Sequence, residues 1–277
     1  MRPSMTHLML VPPLFALWVS VGHVVEQRLR VSPHVVTIIA TDYAFQLPDS
    51  IPSGVTTLEL RNAGKEPHEL VLVKLAHGQT LADVLAAVKK DGPDPLWQQL
   101  MGGPGGVLPG ATSAVTVALD PAQYAVFCGV PGKDGMPHAM KGMMKTLTVT
   151  SAANGARAPE SDVTIRMVDF DFALSTPLTA GTHTIRIVNA GSQAHMLSLI
   201  RLVPGKSVDD VLSWERLRNG PFPIAWATGA SAMRAGGVVY VRADLVPGTY
   251  GLLCFLSDDT DGKSHIAHGM RKEFTVQ

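Results

Sequence analysis

Two quartets of residues in this sequence could hold a metal. His68 is followed well downstream by Cys128, then by His138, then by Met143 just ahead of an alternating run. The same order returns as His195, Cys254, His265 and Met270. One thiolate, two imidazoles and a weak thioether make a copper environment. Soft sulfur favours Cu(I) and imidazole suits Cu(II), so a site with both lets copper cycle with little rearrangement. The distant His comes from one strand region and the other three sit on one loop, so a rigid β scaffold has to bring them together. Simpler readings exist for each residue alone. Cysteine is among the most buried residue types and often only packs, and a lone His on a strand is usually structural. Eight such residues in two registered quartets outweigh those readings, and they predict one copper per quartet, two per chain. A Cys128–Cys254 disulfide is the other reading outside the cytoplasm. It needs Cα atoms within about 7 Å, which equivalent buried positions of two domains rarely meet. Met136, Met140 and Met144 crowd the first loop. Met140 rivals Met143 as axial group, but spacing and the second copy favour Met143; the extra methionines read as apolar cover, and His268 as an exposed edge.

The quartets belong to an internal repeat. Val36-Thr-Ile38 returns as Val163-Thr-Ile165, Asp42-Tyr43-Ala44-Phe45 as Asp169-Phe170-Asp171-Phe172, and Asn62-Ala-Gly64 as Asn189-Ala-Gly191, each at an offset of 127. His68 and His195 keep that offset, whereas Tyr124 and Cys128 return at 126 as Tyr250 and Cys254. The chain therefore divides into two copies of one domain, 32–150 and 160–277, joined by the small, polar segment 151–159.

Each copy reads mostly as strands. Thr56–Arg61 and Thr182–Val188 alternate polar and apolar as half-buried strands do. Leu70–Leu75, Leu197–Leu202, Ala114–Leu119, Tyr124–Phe127 and Lys145–Val149 supply further strands. Thr80–Lys89 differs: a cap-like Thr precedes apolar residues at 81, 84, 85 and 88, a helical spacing. Its copy is Ser207–Leu217, and Gly102–Gly106 marks a loop. Each copy is expected to be a small Greek-key sandwich or barrel with one helical insertion.

Composition excludes other classes. Lys+Arg and Asp+Glu are both 23 in 277 residues, so neither the basic stripe of a nucleic-acid binder nor a polybasic membrane patch is present. Gly 26 and Pro 20 imply many turns. Thr6–Val25 has no charged residue, and segment 1–25 reads as an export signal, with Ser20-Val21-Gly22 as a cleavage site, or else as an uncleaved anchor. The expected location is periplasmic or extracellular.

Asn62-Ala-Gly-Lys-Glu-Pro-His68, Tyr124-Ala-Val-Phe-Cys128 and His138-Ala-Met-Lys-Gly-Met143, with their second copies, resemble the cupredoxin (plastocyanin/azurin-like, blue copper) family. The resemblance covers essentially everything after residue 32. It implies an all-β chain of two tandem cupredoxin-like Greek-key β-sandwich domains, a type 1 copper in each and one-electron transfer with a redox protein partner. By position it implies His68, Cys128, His138 and Met143 as ligands, and likewise His195, Cys254, His265 and Met270. The chain departs from many small blue copper proteins in its long Cys-to-His loops, nine residues between Cys128 and His138 and ten between Cys254 and His265. No His-x-His pair occurs and neither Cys has a His neighbour. Multicopper oxidases and nitrite reductases carry those features, so the expectation is a carrier and not an enzyme. Copper delivery through the methionine-rich loop, or a fold module without metal, are the alternative readings.

Overall fold

The alternating runs become strands whose buried faces meet in one core. The computed structural model describes residues 32–90, 99–217 and 220–277. In the first copy the strands are β1 (His34–Thr41), β2 (Ala44–Gln46), β3 (Ser50–Asn62), β4 (Val71–Lys74), β5 (Thr112–Leu119), β6 (Ala122–Phe127) and β7 (Met144–Ala153). In the second they are β8 (Val163–Val168), β9 (Asp171–Leu174), β10 (Gly181–Asn189), β11 (His195–Leu202), β12 (Ile224–Met233), β13 (Val238–Leu245), β14 (Gly248–Leu253) and β15 (Arg271–Val276). The architecture is all-β, as expected.

β3 shows how one strand serves two sheets. Its first residues pair in parallel with β7, from Gly54 on it pairs antiparallel with β5, and from Thr56 on in parallel with β1. The switch falls at Gly54, whose φ of +113° a side-chain-bearing residue adopts only under strain. Beyond it Leu58 and Leu60 point inward and are fully buried. In the second copy, β8, β9, β10 and β13 lie in one sheet, while β12, β11, β14 and β15 form the other. Ile187 and Val241 of the first of these sheets share a core cluster with Leu197, Leu199 and Leu252 of the second, as sandwich layers do.

The two helices, α1 (Leu81–Lys90) and α2 (Val208–Leu217), begin one residue after their predicted caps. Thr80 Oγ1 accepts from the Asp83 amide at 3.4 Å while the Thr80 amide donates to Asp83 Oδ2 at 2.8 Å. Ser207 and Asp210 repeat this reciprocal cap at 3.3 and 2.9 Å. Each helix buries little more than one edge, Val84 and Ala87 in α1 and Val208 and Val211 in α2.

The two copies are sewn together along their inner edges. β5 pairs with β13, Val115 opposite Val241 and Thr116 opposite Tyr240. Met101 bridges to Met233 and Pro104 to Ala230. The buried Ser231 hydroxyl accepts from the Gly103 amide and donates to the Leu70 carbonyl, both at 2.8 Å. β7 runs to Ala153, three residues into the segment expected to link the copies. Segment 1–25 lies outside the described residues; among the described residues no helix is long and apolar enough to cross a membrane.

Candidate metal centres

Each Cys is delivered by a strand whose path is pinned by the tyrosine before it. Tyr124 Oη donates to the Asp120 carbonyl at 3.0 Å, and Tyr250 Oη donates to the Val246 carbonyl at 2.9 Å. A buried tyrosine tied back to the backbone four residues upstream fixes the corner from which β6 and β14 start. Cys128 and Cys254 follow the ends of those strands, fully buried.

The long loops beyond the cysteines are closed at their base. Pro131 bridges to Pro137 in the first and Ser257 to Ser264 in the second. The His138 amide donates to the Val130 carbonyl at 3.0 Å, and the His265 amide to the Leu256 carbonyl at 2.7 Å. The extra residues therefore loop out sideways, and each His returns to its Cys. In the first copy a short 3₁₀ turn, His138–Lys141, carries that His. The Met143 amide donates to the His138 carbonyl at 3.0 Å and the Cys128 amide to the Met143 carbonyl at 3.2 Å; Met270 ties His265 and Cys254 at 2.9 and 3.3 Å. Met143 and Met270 are fully buried in the same core cluster as the cysteines.

The predicted residues come together in two sets. In the first, His68 Nδ1 lies 3.1 Å from His138 Nδ1, and Cys128 Sγ lies 3.8 and 3.5 Å from those two nitrogens. In the second, His195 Nδ1 and His265 Nδ1 are 3.0 Å apart, with Cys254 Sγ at 3.9 and 3.2 Å. All four imidazoles are fully buried. Each Cys sits within its own set as a free thiol, so the Cys128–Cys254 disulfide reading is not realised. Of the residues set aside, Met136 is exposed. His268 is an exposed edge, stacked on Phe170 and bound to Asp261.

Outer partners decide which nitrogen faces inward. His68 Nε2 meets Asp42 Oδ1 at 2.8 Å and His138 Nε2 meets Glu66 Oε2 at 2.8 Å. His195 Nε2 meets Asp169 Oδ1 at 2.5 Å and His265 Nε2 meets Gln193 Oε1 at 3.2 Å. An oxygen that only accepts requires the proton on Nε2, so each neutral ring turns the Nδ1 lone pair inward. Neutrality is favoured: burial holds His68 and His195 below the ordinary imidazole value, and burial with the neighbouring His195 brings His265 down to about 4. Each centre thus brings two imidazole Nδ1 atoms to about 3 Å from each other beside one buried thiol. A cation between them would be held by all three side chains, and soft thiolate with imidazole fits copper. Burial, reinforced by the Glu69 charge, pushes the Cys128 thiol up to about 12, and burial pushes Cys254 up to about 11. A metal ion would have to displace the thiol proton on binding.

Glycine makes room for this arrangement. A Cβ on Gly64 would lie 2.7 Å from His68 Nε2 and collide with Asp42 Oδ1; on Gly191 it would lie 2.6 Å from His195 Nε2 and collide with Asp169 Oδ1. Sequence reasoning noted Asp42 and Asp169 only as repeat matches and did not single out Glu66, Gln193 or Glu69. The constant offset was the available signal for the aspartates. Glu69 is buried beside Cys128, its amide 3.5 Å from Sγ, and burial raises its carboxyl to about 7; Met196 occupies its place in the second copy.

No family model and no curated protein matches this sequence. Among solved structures, the chain is similar to auracyanin A, a "blue" copper protein from Chloroflexus aurantiacus, at 20% identity over 43% of this chain and 100% of that one, TM-score 0.32. It is also similar to a multicopper oxidase, at 12% identity over 88% of each chain, TM-score 0.27. A third likeness is to the copper nitrite reductase of Nitrosomonas europaea, at 14% identity over 89% of this chain and 94% of that one, TM-score 0.26. The expectation that the chain is not an enzyme is corrected by these matches. The two that run across most of the chain are an oxidase and a reductase. That expectation rested on missing His-x-His pairs and on the neighbours of each Cys, which are features of adjacent residues. Donors here gather from segments far apart in sequence, as His68 and Cys128 do across 60 positions, so absent short motifs exclude no activity. A duplicated β-sandwich that closes a buried His-Cys-His set in each copy gives this chain a cupredoxin-like fold, present twice.

Proposed function

We propose that each domain, 32–150 and 160–277, holds one type 1 copper and that the protein transfers single electrons outside the cytoplasm, exchanging them with a redox protein partner. His68, Cys128 and His138 would hold the first ion and His195, Cys254 and His265 the second, with the Met143 and Met270 thioethers as weak further donors. Copper bound by thiolate and imidazole supplies a one-electron couple between Cu(I) and Cu(II).

The residues of the chain prepare that couple. Asp42, Glu66, Asp169 and Gln193 accept the Nε2 protons and aim each Nδ1 inward. The surrounding core keeps water out and holds the donors in place, so little reorganises when charge changes. The observation that carries the reading is the facing pair of imidazole Nδ1 atoms beside a buried thiol, present twice.

Copper loading of the purified metal-free protein tests it. Metal analysis should return two coppers per chain, with intense visible absorption that vanishes and returns on reduction and reoxidation. Cys128→Ser and Cys254→Ser should each remove one copper and leave the other. Less than one copper per chain, or a colourless loaded protein, would overturn the reading. Segment 1–25 should be missing from protein recovered from the exported fraction if it is a cleaved signal.

A further inference from the structure

The two centres match in their inner donors and differ in their outer contacts. Asp42 and Asp169 play the same part on His68 and His195. On the second imidazole the first centre has a carboxylate, Glu66, at 2.8 Å, and the second an amide, Gln193, at 3.2 Å. The amide's orientation is set by its neighbours. Gln193 Nε2 donates to Asp258 Oδ2 at 2.9 Å, and Gln193 Oε1 also accepts the Asp259 amide at 3.0 Å. Gln193 therefore supplies the hydrogen bond without the charge, and Asp258 and Asp259 act on the second centre's imidazoles only through space, with no hydrogen bond to either ring.

We propose that this difference makes the centres an ordered pair, the first of lower and the second of higher potential, so that a single electron on the chain rests at the second copper. The inference rests on the copper reading above. Cu(II) carries one more positive charge than Cu(I), so a carboxylate on an imidazole's outer hydrogen stabilises Cu(II) more. The Glu66 side chain is only 15% exposed, where screening by salt is weak. Lys141, near the first centre, is 2.8 Å from Asp134, which offsets its charge. Glu69, with Met196 as its counterpart, places a further acid on the first side.

The ordering has a path to act along. Phe127 and Ala139, chain neighbours of Cys128 and His138, belong to one buried cluster with Ala194, beside His195, and Leu256, two residues past Cys254. In an exchange between the centres the first copper is oxidised from Cu(I) to Cu(II) and the second reduced from Cu(II) to Cu(I).

Copper-loaded Cys254→Ser and Cys128→Ser chains isolate the first and second centres for redox titration. The first midpoint should lie below the second, and full-length protein reduced by one electron should keep its Cu(II) spectrum at the first centre. Glu66→Gln should shift the first centre's Cu(II)/Cu(I) ratio at fixed potential about tenfold toward Cu(I), which is about 59 mV for one electron. Gln193→Glu should shift the second about tenfold toward Cu(II). Equal midpoints, the reverse order, or coloured Glu66→Gln and Gln193→Glu centres with unmoved midpoints would overturn the inference. Failure of both Cys variants to take up copper would instead remove the copper reading, and this inference with it.

Discussion

Asp42→Asn separates the charge of the outer carboxylate from its geometry. Asp42 Oδ1 lies 2.8 Å from His68 Nε2, and the same carboxylate accepts the Lys65 amide at 2.9 Å, so an asparagine oxygen can keep one of these bonds. What it loses is the negative charge. Adding bond lengths through the imidazole puts that charge roughly 7 Å from an ion at Nδ1, where an effective dielectric of about 20 gives roughly 2.4 kcal/mol. The Asp42 side chain is 24% exposed, so solvent reduces that figure toward about 1–2 kcal/mol. Loss of a partner to a metal-bound histidine typically weakens metal binding 10–100-fold, or about 1.4–2.8 kcal/mol, which overlaps the Coulomb figure. We therefore expect Asp42→Asn to weaken copper binding at the first centre by about one order of magnitude. The second centre, with its own Asp169, should be unchanged. Competition against a chelator of known affinity, in the Cys254→Ser background, measures it. Unchanged affinity in a folded variant would refute the argument that the outer carboxylate prepares the imidazole.

Other substitutions probe the scaffold and the axial group. Gly64→Ala forces a Cβ against His68 and Asp42 and should cost about 1–3 kcal/mol of stability together with copper at the first centre alone; denaturant titration and metal analysis check both. Ser231→Ala strands the buried Leu70 carbonyl and Gly103 amide at the junction and should cost about 1–3 kcal/mol, visible as a lower unfolding midpoint. Met143→Leu should keep copper and raise the first centre's potential, because it removes a donor that helps stabilise Cu(II), while the part-exposed Met140→Leu should change little. A shift from Met140→Leu and none from Met143→Leu would reverse the axial assignment.

What was legible in the sequence was whatever the two copies share. The strands around His68 and Cys128, the helical inserts and their caps, and the eight candidate ligands all repeat at a near-constant offset. Matching the copies exposes them. β12 was not legible, for a physical reason. Gly229, Ala230, Ser231 and Ala232 are poor strand formers, yet the junction needs small residues there. A Cβ on Gly229 would collide with the Leu197 carbonyl, and one on Gly105 would lie 3.2 Å from the Gly229 backbone. Close approach, of Gly229 to the neighbouring strand β11 and of Gly105 to Gly229 across the junction, overrode strand propensity, and only the assembled sheets reveal it.

The same logic explains which site residues escaped notice. Asp42 sits 26 positions from His68, on a different strand connection, and acquires a role only when β1 lies beside β3. Glu66 and Gln193 are hidden more deeply, because a search for repeats reads their mismatch as drift. Once the fold places both on the outer nitrogen of the second imidazole, the mismatch becomes a chemical difference between two centres with the same inner donors. Duplication supplies two copies of one donor set, and an outer carboxylate or amide is enough to separate them in potential without altering a single ligand. Divergence at such positions keeps the buried donors and their packing intact, which is why the inner sets agree to within 0.1 Å in their Nδ1 separations while the outer contacts differ.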